Sequence, residues 1–243
     1  MPPLYIVEQG ALVRSVARRL VVEKDGQELR SAPLDQVDEV VIVGHATLTT
    51  PAMKLLLFEG VDTVFLTLDG LYCGRLVGPL SKHGSLRREQ YARSMQPDFA
   101  LAVARACVSG KLRNMRALLM RYQRTLNLPE LGRAVEQIAG HMARAEAAAN
   151  NASLMGVEGA ASAAYFGVFA RLLKRDWGFV KRARRPPPDP VNVLLSFGYT
   201  LLAKHLEAAV CVAGLDPQIG FLHEVSYGRP SLALDLMEEF RPI

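Results

Sequence analysis

The chain has 243 residues, 50% of them hydrophobic and 22% charged, a globular composition long enough for one large domain or two modest ones. Its formal net charge is +5, and its three cysteines, Cys73, Cys107 and Cys211, are widely spaced with no CxxC pair, which excludes a disulfide framework and a zinc finger. No apolar run approaches the eighteen residues of a membrane span and no basic-then-apolar segment opens the chain, so the expectation is a cytoplasmic protein with no membrane partner, in which the Asn151-Ala152-Ser153 glycosylation match is incidental.

The first eighty residues read as strand-rich. Apolar runs at Leu4–Val7, Leu20–Val22, Val37–Val43, Val61–Leu68 and Leu71–Val77 predict strands, with Asp25-Gly26 and Asp69-Gly70 closing hairpins. Val61–Leu68 is bulky, partly β-branched and nearly uncharged, as a strand buried on both sides requires. One helix interrupts them, with Thr50 as cap, Pro51 at its first position and Glu59-Gly60 as its stop. Residues 78–96 carry Gly78-Pro79, Ser81, Gly84-Ser85 and scattered basic residues, and read as a linker.

After Pro97 the period changes. Leu101, Ala104, Val108, Leu112, Met115, Leu119 and Tyr122 follow amphipathic helical spacing, with Arg105, Lys111, Arg113, Arg116 and Arg124 assigned to the other face. Further helices are expected over Leu131–Asn150 and Leu154–Lys174. A basic, proline-rich loop at Lys181–Pro188 follows, and Asp189-Pro190 starts a helix that runs to Ala213 and stops at Gly214. A last helix covers Leu232–Phe240. The predicted fold class is α+β: a small β-rich N-terminal domain over residues 1–77, a linker over 78–96, and a larger all-α domain over 97–243 that carries the site.

Charge is unevenly placed. Residues 1–80 carry 7 Lys/Arg against 10 Asp/Glu, residues 81–150 carry 12 against 5, and residues 151–243 carry 10 against 9. The basic excess of the helical part suits a polyanion such as nucleic acid, although a solvated helix face gives the same count. No GxxxxGK[ST] phosphate loop, dinucleotide fingerprint, HExxH or G-x-S-x-G elbow is present, so nucleotide hydrolysis, hydride transfer and serine hydrolysis lack support.

Acids and one histidine remain. Glu158 stands among small and apolar residues, where a carboxylate needs a cation or a paired base unless it lies on the solvent side of its helix. His223 follows Gly220-Phe221-Leu222 in an expected loop. Asp235, Glu238 and Glu239 share the last helix, so Asp235 neighbours Glu238 or Glu239. Leu232, Leu236 and Phe240 are its expected buried stripe. Carboxylates with one imidazole suit magnesium or manganese; an ordinary acidic helix surface is the alternative.

Three stretches then stand out together: Asp189 to Leu202 (DPVNVLLSFGYTLL), Gly220 to His223 (GFLH), and Arg229 to Pro242 (RPSLALDLMEEFRP). With Glu158-Gly159 and the Tyr165-Phe166 pair, they resemble in order the motifs of Cas1, the CRISPR-associated endonuclease and integrase family of spacer acquisition; Gly44 to Gly70 is similar but less specific. The resemblance covers essentially the whole chain. It implies an N-terminal β-domain and a helical catalytic domain, a homodimer, the small companion subunit Cas2, and double-stranded or branched DNA as partner. It implies insertion of captured foreign DNA into a CRISPR array by attack of a 3′-hydroxyl on a phosphodiester. Matching positions make Glu158, His223 and Glu238 the ligands of Mg2+ or Mn2+, with Asp235 a further catalytic acid and Glu239 the rival of Glu238. Candidate DNA contacts are Tyr165, Lys181, Arg182, Arg184 and Arg185. Family members usually continue past the last motif, so the resemblance implies a chain shortened at its C-terminus. A catalytically idle DNA-binding scaffold and a transposon-encoded integrase of the same superfamily are the alternatives, and a ribonuclease is not excluded.

Overall fold

The computed structural model describes residues 3–70, 72–76, 78 and 84–242. Leu71 and Val77, the ends of the last expected strand, and Pro79 and Ser81 of the expected linker lie outside the described residues. The chain forms two compact units, Met1–Leu80 and Ser81–Ile243. The first holds the strands and the second is helical, an α+β chain.

The first unit contains two four-stranded sheets. One has the order β1 (Leu4–Ile6), β5 (Glu39–Val43), β7 (Asp62–Leu66), β8 (Tyr72–Leu76), with β1, β5 and β7 parallel and β8 antiparallel. The other has the order β4 (Gln27–Pro33), β3 (Arg19–Lys24), β2 (Leu12–Val16), β6 (Thr47–Leu48). Asp25-Gly26 turns β3 into β4 and Asp69-Gly70 turns β7 into β8, as the turn dipeptides require. Helix α1 (Thr50–Glu59) starts one residue earlier in its capping than expected: the side chain of Thr49 accepts from the Ala52 amide, leaving Thr50 as the first helical residue. Gly60 ends it at φ +70°, a left-handed turn that suits glycine. Leu4, Ile6, Val13, Leu20, Val40, Ile42 and Leu56 form the core. β2 and β4 were absent from the expected strands. β2 (LVRSV) is short and half polar, and β4 is an edge strand whose first four residues are exposed, so neither shows an apolar run.

The second unit is built on α3 (Pro97–Leu126), a 30-residue helix against which α4 (Pro129–Glu146), α5 (Asn151–Phe169) and α7 (Ser231–Phe240) pack. Leu112, Leu119, Leu131, Ile138 and Leu154 are fully buried between them. Asn127 stops α3 at φ 48°, a region asparagine tolerates, and Pro129 opens α4. A reciprocal Asn150–Ser153 capping box starts α5, which ends earlier than expected and passes into a 3-10 turn at Ala170–Leu172. Asp189 caps α6 (Pro190–Val212) through the Asn192 amide, with Pro190 first, as read. Helix α6 is the one described helix long and apolar enough by length and composition to cross a membrane, and it leaves Val193, Leu194 and Phe197 exposed.

The expected linker is corrected. Residues 84–94 form helix α2 (Gly84–Ser94), anchored by the buried Gln90, which donates to the carbonyls of Asp216 (2.8 Å) and Ile219 (3.0 Å) and accepts from the Asp216 amide (2.8 Å). The anchor is a hydrogen-bonding amide rather than an apolar stripe, so helical periodicity does not reveal it.

Truncating Leu112 tests which helix carries the core. Leu112→Ala is expected to lower stability by about 2–5 kcal/mol, read as a lower urea midpoint at unchanged m-value; a loss below 1 kcal/mol would show that α3 is not the central packing element.

Candidate metal and DNA site

The site is assembled from α3, α5, α7 and the loop before α7. On α5, Glu158 faces inward with its side chain 24% exposed, accepting from Lys111 Nζ and from Ser162 Oγ (2.8 Å), one turn on. On α7, Glu238 is buried, accepts from Lys111 Nζ at 2.6 Å and forms an ion pair with Arg241 at 3.2 Å. Lys111 is itself only 3% exposed. One ammonium therefore lies against two carboxylates from two helices, a strongly charge-assisted arrangement in a dry environment.

Burial pushes the Glu158 carboxyl up, but the Lys111 charge, with the hydrogen bonds from Lys111 and Ser162, outweighs it and holds the group below its ordinary range. Cys107, one turn before Lys111, is pushed up to about 12 by burial and then by the nearby Asp235, Glu239 and Glu238 carboxylates, so it stays a neutral thiol.

The loop is organised by Asp235. This carboxylate is fully buried, and it accepts from the amides of Phe221 (2.5 Å), Leu222 (2.9 Å) and His223 (2.9 Å). It also accepts from His223 Nδ1 at 2.7 Å. That bond makes Nδ1 the protonated nitrogen and leaves Nε2 as the ring's free donor pair. Gly220 is obligatory here, because a Cβ would stand 2.7 Å from Asp235 Oδ2 and 2.8 Å from the backbone of Ser231. Asn151 of α5 adds a 2.6 Å bond to the Phe221 carbonyl.

Glu158, Glu238, His223 and Lys111 line one cavity of about 560 Å³. Lys181, Arg182, Arg184, Arg229 and Arg241 line it too, giving an acidic floor within a basic wall. Among the described residues, no three acid, histidine or cysteine side chains stand close enough together to hold an ion as placed; the Lys111 ammonium is the cation that joins the two glutamates. The donor set nevertheless suits a divalent ion, with two carboxylates converging on a cation and an imidazole nitrogen oriented from behind.

A family model for CRISPR associated protein Cas1 matches residues 4–243. The chain belongs to the Cas1 family. A curated CRISPR-associated endonuclease Cas1 from Thermus thermophilus is 43% identical over 242 residues, which are 99% of this chain and 70% of the relative. The solved structure of a Cas1 protein from Thermotoga maritima superposes with a TM-score of 0.83 at 27% identity, over 100% of this chain and 75% of that one. A chain of a solved Cas6-RT-Cas1–Cas2 complex is 30% identical with a TM-score of 0.76, over 99% of this chain and 26% of that chain.

In this Cas1-family chain, Glu238 rather than Glu239 faces the cavity: Glu239 packs its side chain against Gly110 of α3. The expected stripe of α7 is corrected. Ser231, Leu232, Asp235 and Glu238 are buried while Phe240 is exposed, because the acids find cation and amide partners inward. Lys111 is corrected as well, from the solvent face of α3 to its buried stripe. Arg182 donates to Asn192 Oδ1 (2.9 Å) and Ser196 Oγ (3.0 Å) and stacks over Tyr199 at 5.4 Å, so it braces the basic loop onto α6. Lys181 and Arg184 are exposed at the cavity wall, whereas Arg185 is exposed and does not line it. Tyr165 is buried against Phe166 and Phe169, and burial raises its pKa. Sequence reasoning missed Lys111, Ser162, Arg229 and Arg241. Lys111 had a visible signal, for it follows Ala104 and Val108 and precedes Met115 at i, i+4, i+7 and i+11.

Two measurements test this geometry. Asp235→Asn keeps the shape but removes the charge that fixes the imidazole, and is expected to lower DNA processing about 10–100-fold with an unchanged circular dichroism spectrum; full activity would remove Asp235 from the site. Because the Glu158 carboxyl is held below the ordinary carboxylate range, its contribution to stability is fully present above that range and is lost as pH falls through the lowered folded-state value. Glu158→Gln is therefore expected to flatten the fall in melting temperature between pH 5 and 3; an equal slope would contradict the Lys111 pairing.

Proposed function

We propose that this chain is a metal-dependent DNA endonuclease and integrase of CRISPR spacer acquisition, with Glu158, Glu238 and His223 as the ligands of Mg2+ or Mn2+. The observation that carries the reading is that these three side chains, from α5, α7 and the loop before α7, line one basic-walled cavity. A divalent ion bound there would polarise the phosphodiester and lower the pKa of an attacking oxygen, a DNA 3′-hydroxyl in integration or water in cleavage.

The chain's own residues supply the rest. Asp235 holds the His223 ring with Nδ1 protonated, so that Nε2 is the ligand atom, and at the same time fixes the loop backbone. Ser162 orients the Glu158 carboxylate along α5. Lys181, Arg184 and Arg229 attract the phosphate backbone to the mouth of the cavity. Arg182 and Arg241 flank Tyr199, at 5.4 and 5.5 Å, and stiffen the wall rather than roam for phosphates. The family likeness, with one neighbour solved in a Cas1–Cas2 complex, supports a homodimer that joins a Cas2 subunit in the cytoplasm.

The decisive experiment compares wild type with His223→Ala and Glu158→Gln on branched DNA, in Mn2+, Mg2+ or EDTA. Each variant is expected to lose about 10²–10³-fold in cleavage and strand transfer, with DNA binding retained, and EDTA is expected to abolish wild-type activity. Activity undiminished in EDTA would overturn the metal assignment, and DNA binding without activity in any metal would favour an idle scaffold.

A further inference from the structure

Lys111 is the one group at the site that the proposed chemistry does not use. Its stem lies in the buried stripe of α3 and its ammonium touches Glu158 and Glu238, the two carboxylates assigned to the metal. Two carboxylates brought together in a water-poor site repel each other, and each is costly to bury unpaired. Lys111 lies against both carboxylates and Arg241 stands 3.2 Å from Glu238, so the carboxylates stay together without any divalent ion. A divalent ion approaching the same oxygens meets a resident positive charge.

We propose that Lys111 is a positioning residue that acts as an internal counter-ion: it holds the Glu158–Glu238 pair assembled in the metal-free protein and yields those oxygens when the divalent ion binds. The inference rests on the assignment of these glutamates as metal ligands. Its consequence is an affinity deliberately weaker than the carboxylates alone would give. With the ion bound, two carboxylates (−2), the Lys111 ammonium (+1), the Arg241 guanidinium (+1) and the ion (+2) sum to +2, an excess that incoming DNA phosphodiesters offset. Stable metal occupancy is thereby tied to the presence of substrate, and a site without DNA is kept largely idle.

The test measures metal binding itself. Calorimetric titration of the DNA-free protein with Mn2+ is run on wild type, Lys111→Met, Lys111→Arg and Glu158→Gln. Lys111→Met is expected to bind Mn2+ roughly tenfold tighter than wild type, since a unit charge is removed from direct contact with the ligand oxygens. It is also expected to melt at lower temperature in EDTA, with saturating Mn2+ narrowing or reversing that gap. Lys111→Arg, which keeps the charge, should stay near wild-type affinity. Equal or weaker binding by a folded Lys111→Met, with wild type binding normally, would overturn the proposal and leave Lys111 a purely structural cation.

A second measurement needs no folded variant beyond an assignment control. In wild type labelled with 15N-lysine, the Lys111 ammonium resonance is followed during Mg2+ titration. It is expected to shift and saturate with added Mg2+ as the ion pairs open; an unmoved resonance at saturating Mg2+ would overturn displacement. The two readings fail differently. If wild type binds neither ion, or Glu158→Gln binds as well as wild type, the ligand assignment fails, whatever Lys111 does.

Discussion

A single buried ammonium connects the helices that make the site. Lys111 Nζ reaches from α3 to Glu158 of α5 and Glu238 of α7, and Arg241 adds a second counter-charge 3.2 Å from Glu238. Removing one member of such a buried set costs about 3–5 kcal/mol, because the remaining charges are left uncompensated. The acids therefore constrain the fold as strongly as its core does. α5 and α7 are not free to slide along α3, since a shift of one turn would separate each carboxylate from the ammonium by about 5 Å.

The three acids of the site divide their work by the partners they keep. Asp235 accepts four bonds, three from consecutive amides and one from the imidazole, so it is saturated and acts through the groups it holds. Glu158 is held by Lys111 and Ser162, and Glu238 by Lys111 and Arg241, so both lie against side-chain partners alone. Burial divides them differently: Asp235 and Glu238 are sealed, whereas Glu158 keeps a quarter of its side chain open to the cavity. Helix α2 and Asn151 fix the far end of the loop through Gln90 and the Phe221 carbonyl, so the position of His223 depends on residues with no chemistry of their own.

Where a local physical rule decides an element, the chain reads plainly. Asp189-Pro190 specifies the start of α6, the apolar spacing of α3 specifies its buried face, and Asp25-Gly26 and Asp69-Gly70 specify their hairpins. Glu158, His223 and the α7 acids were visible because acids and a histidine in apolar surroundings are unusual. Lys111 was assigned outward for the reason that most lysines are, since charge is a good indicator of exposure until an opposite charge is buried beside it. That opposite charge comes from positions 47 and 127 residues away. The same long-range pairing set the face of α7: of the expected stripe Leu232 is buried, but Phe240 is exposed and Asp235 and Glu238 are buried in its place, because their face meets the ammonium and the loop amides. Helix α2 escaped detection through its polar composition, its one buried anchor being an amide.

The cavity combines charges of both signs in an order that has consequences for what enters it. The carboxylates of the floor repel a bare phosphate at short range, while under the proposed function Lys181, Arg184 and Arg229 at the wall would attract the DNA backbone from farther out. The wall alone would hold DNA at the rim without drawing a phosphodiester onto the floor. The floor alone would collect divalent ions with no substrate to use them. Under the proposed function, a phosphodiester and a divalent ion each remove the repulsion that opposes the other, so the two bind best together. Under that reading, basic residues at the rim and a lysine within the acidic floor are parts of one electrostatic design.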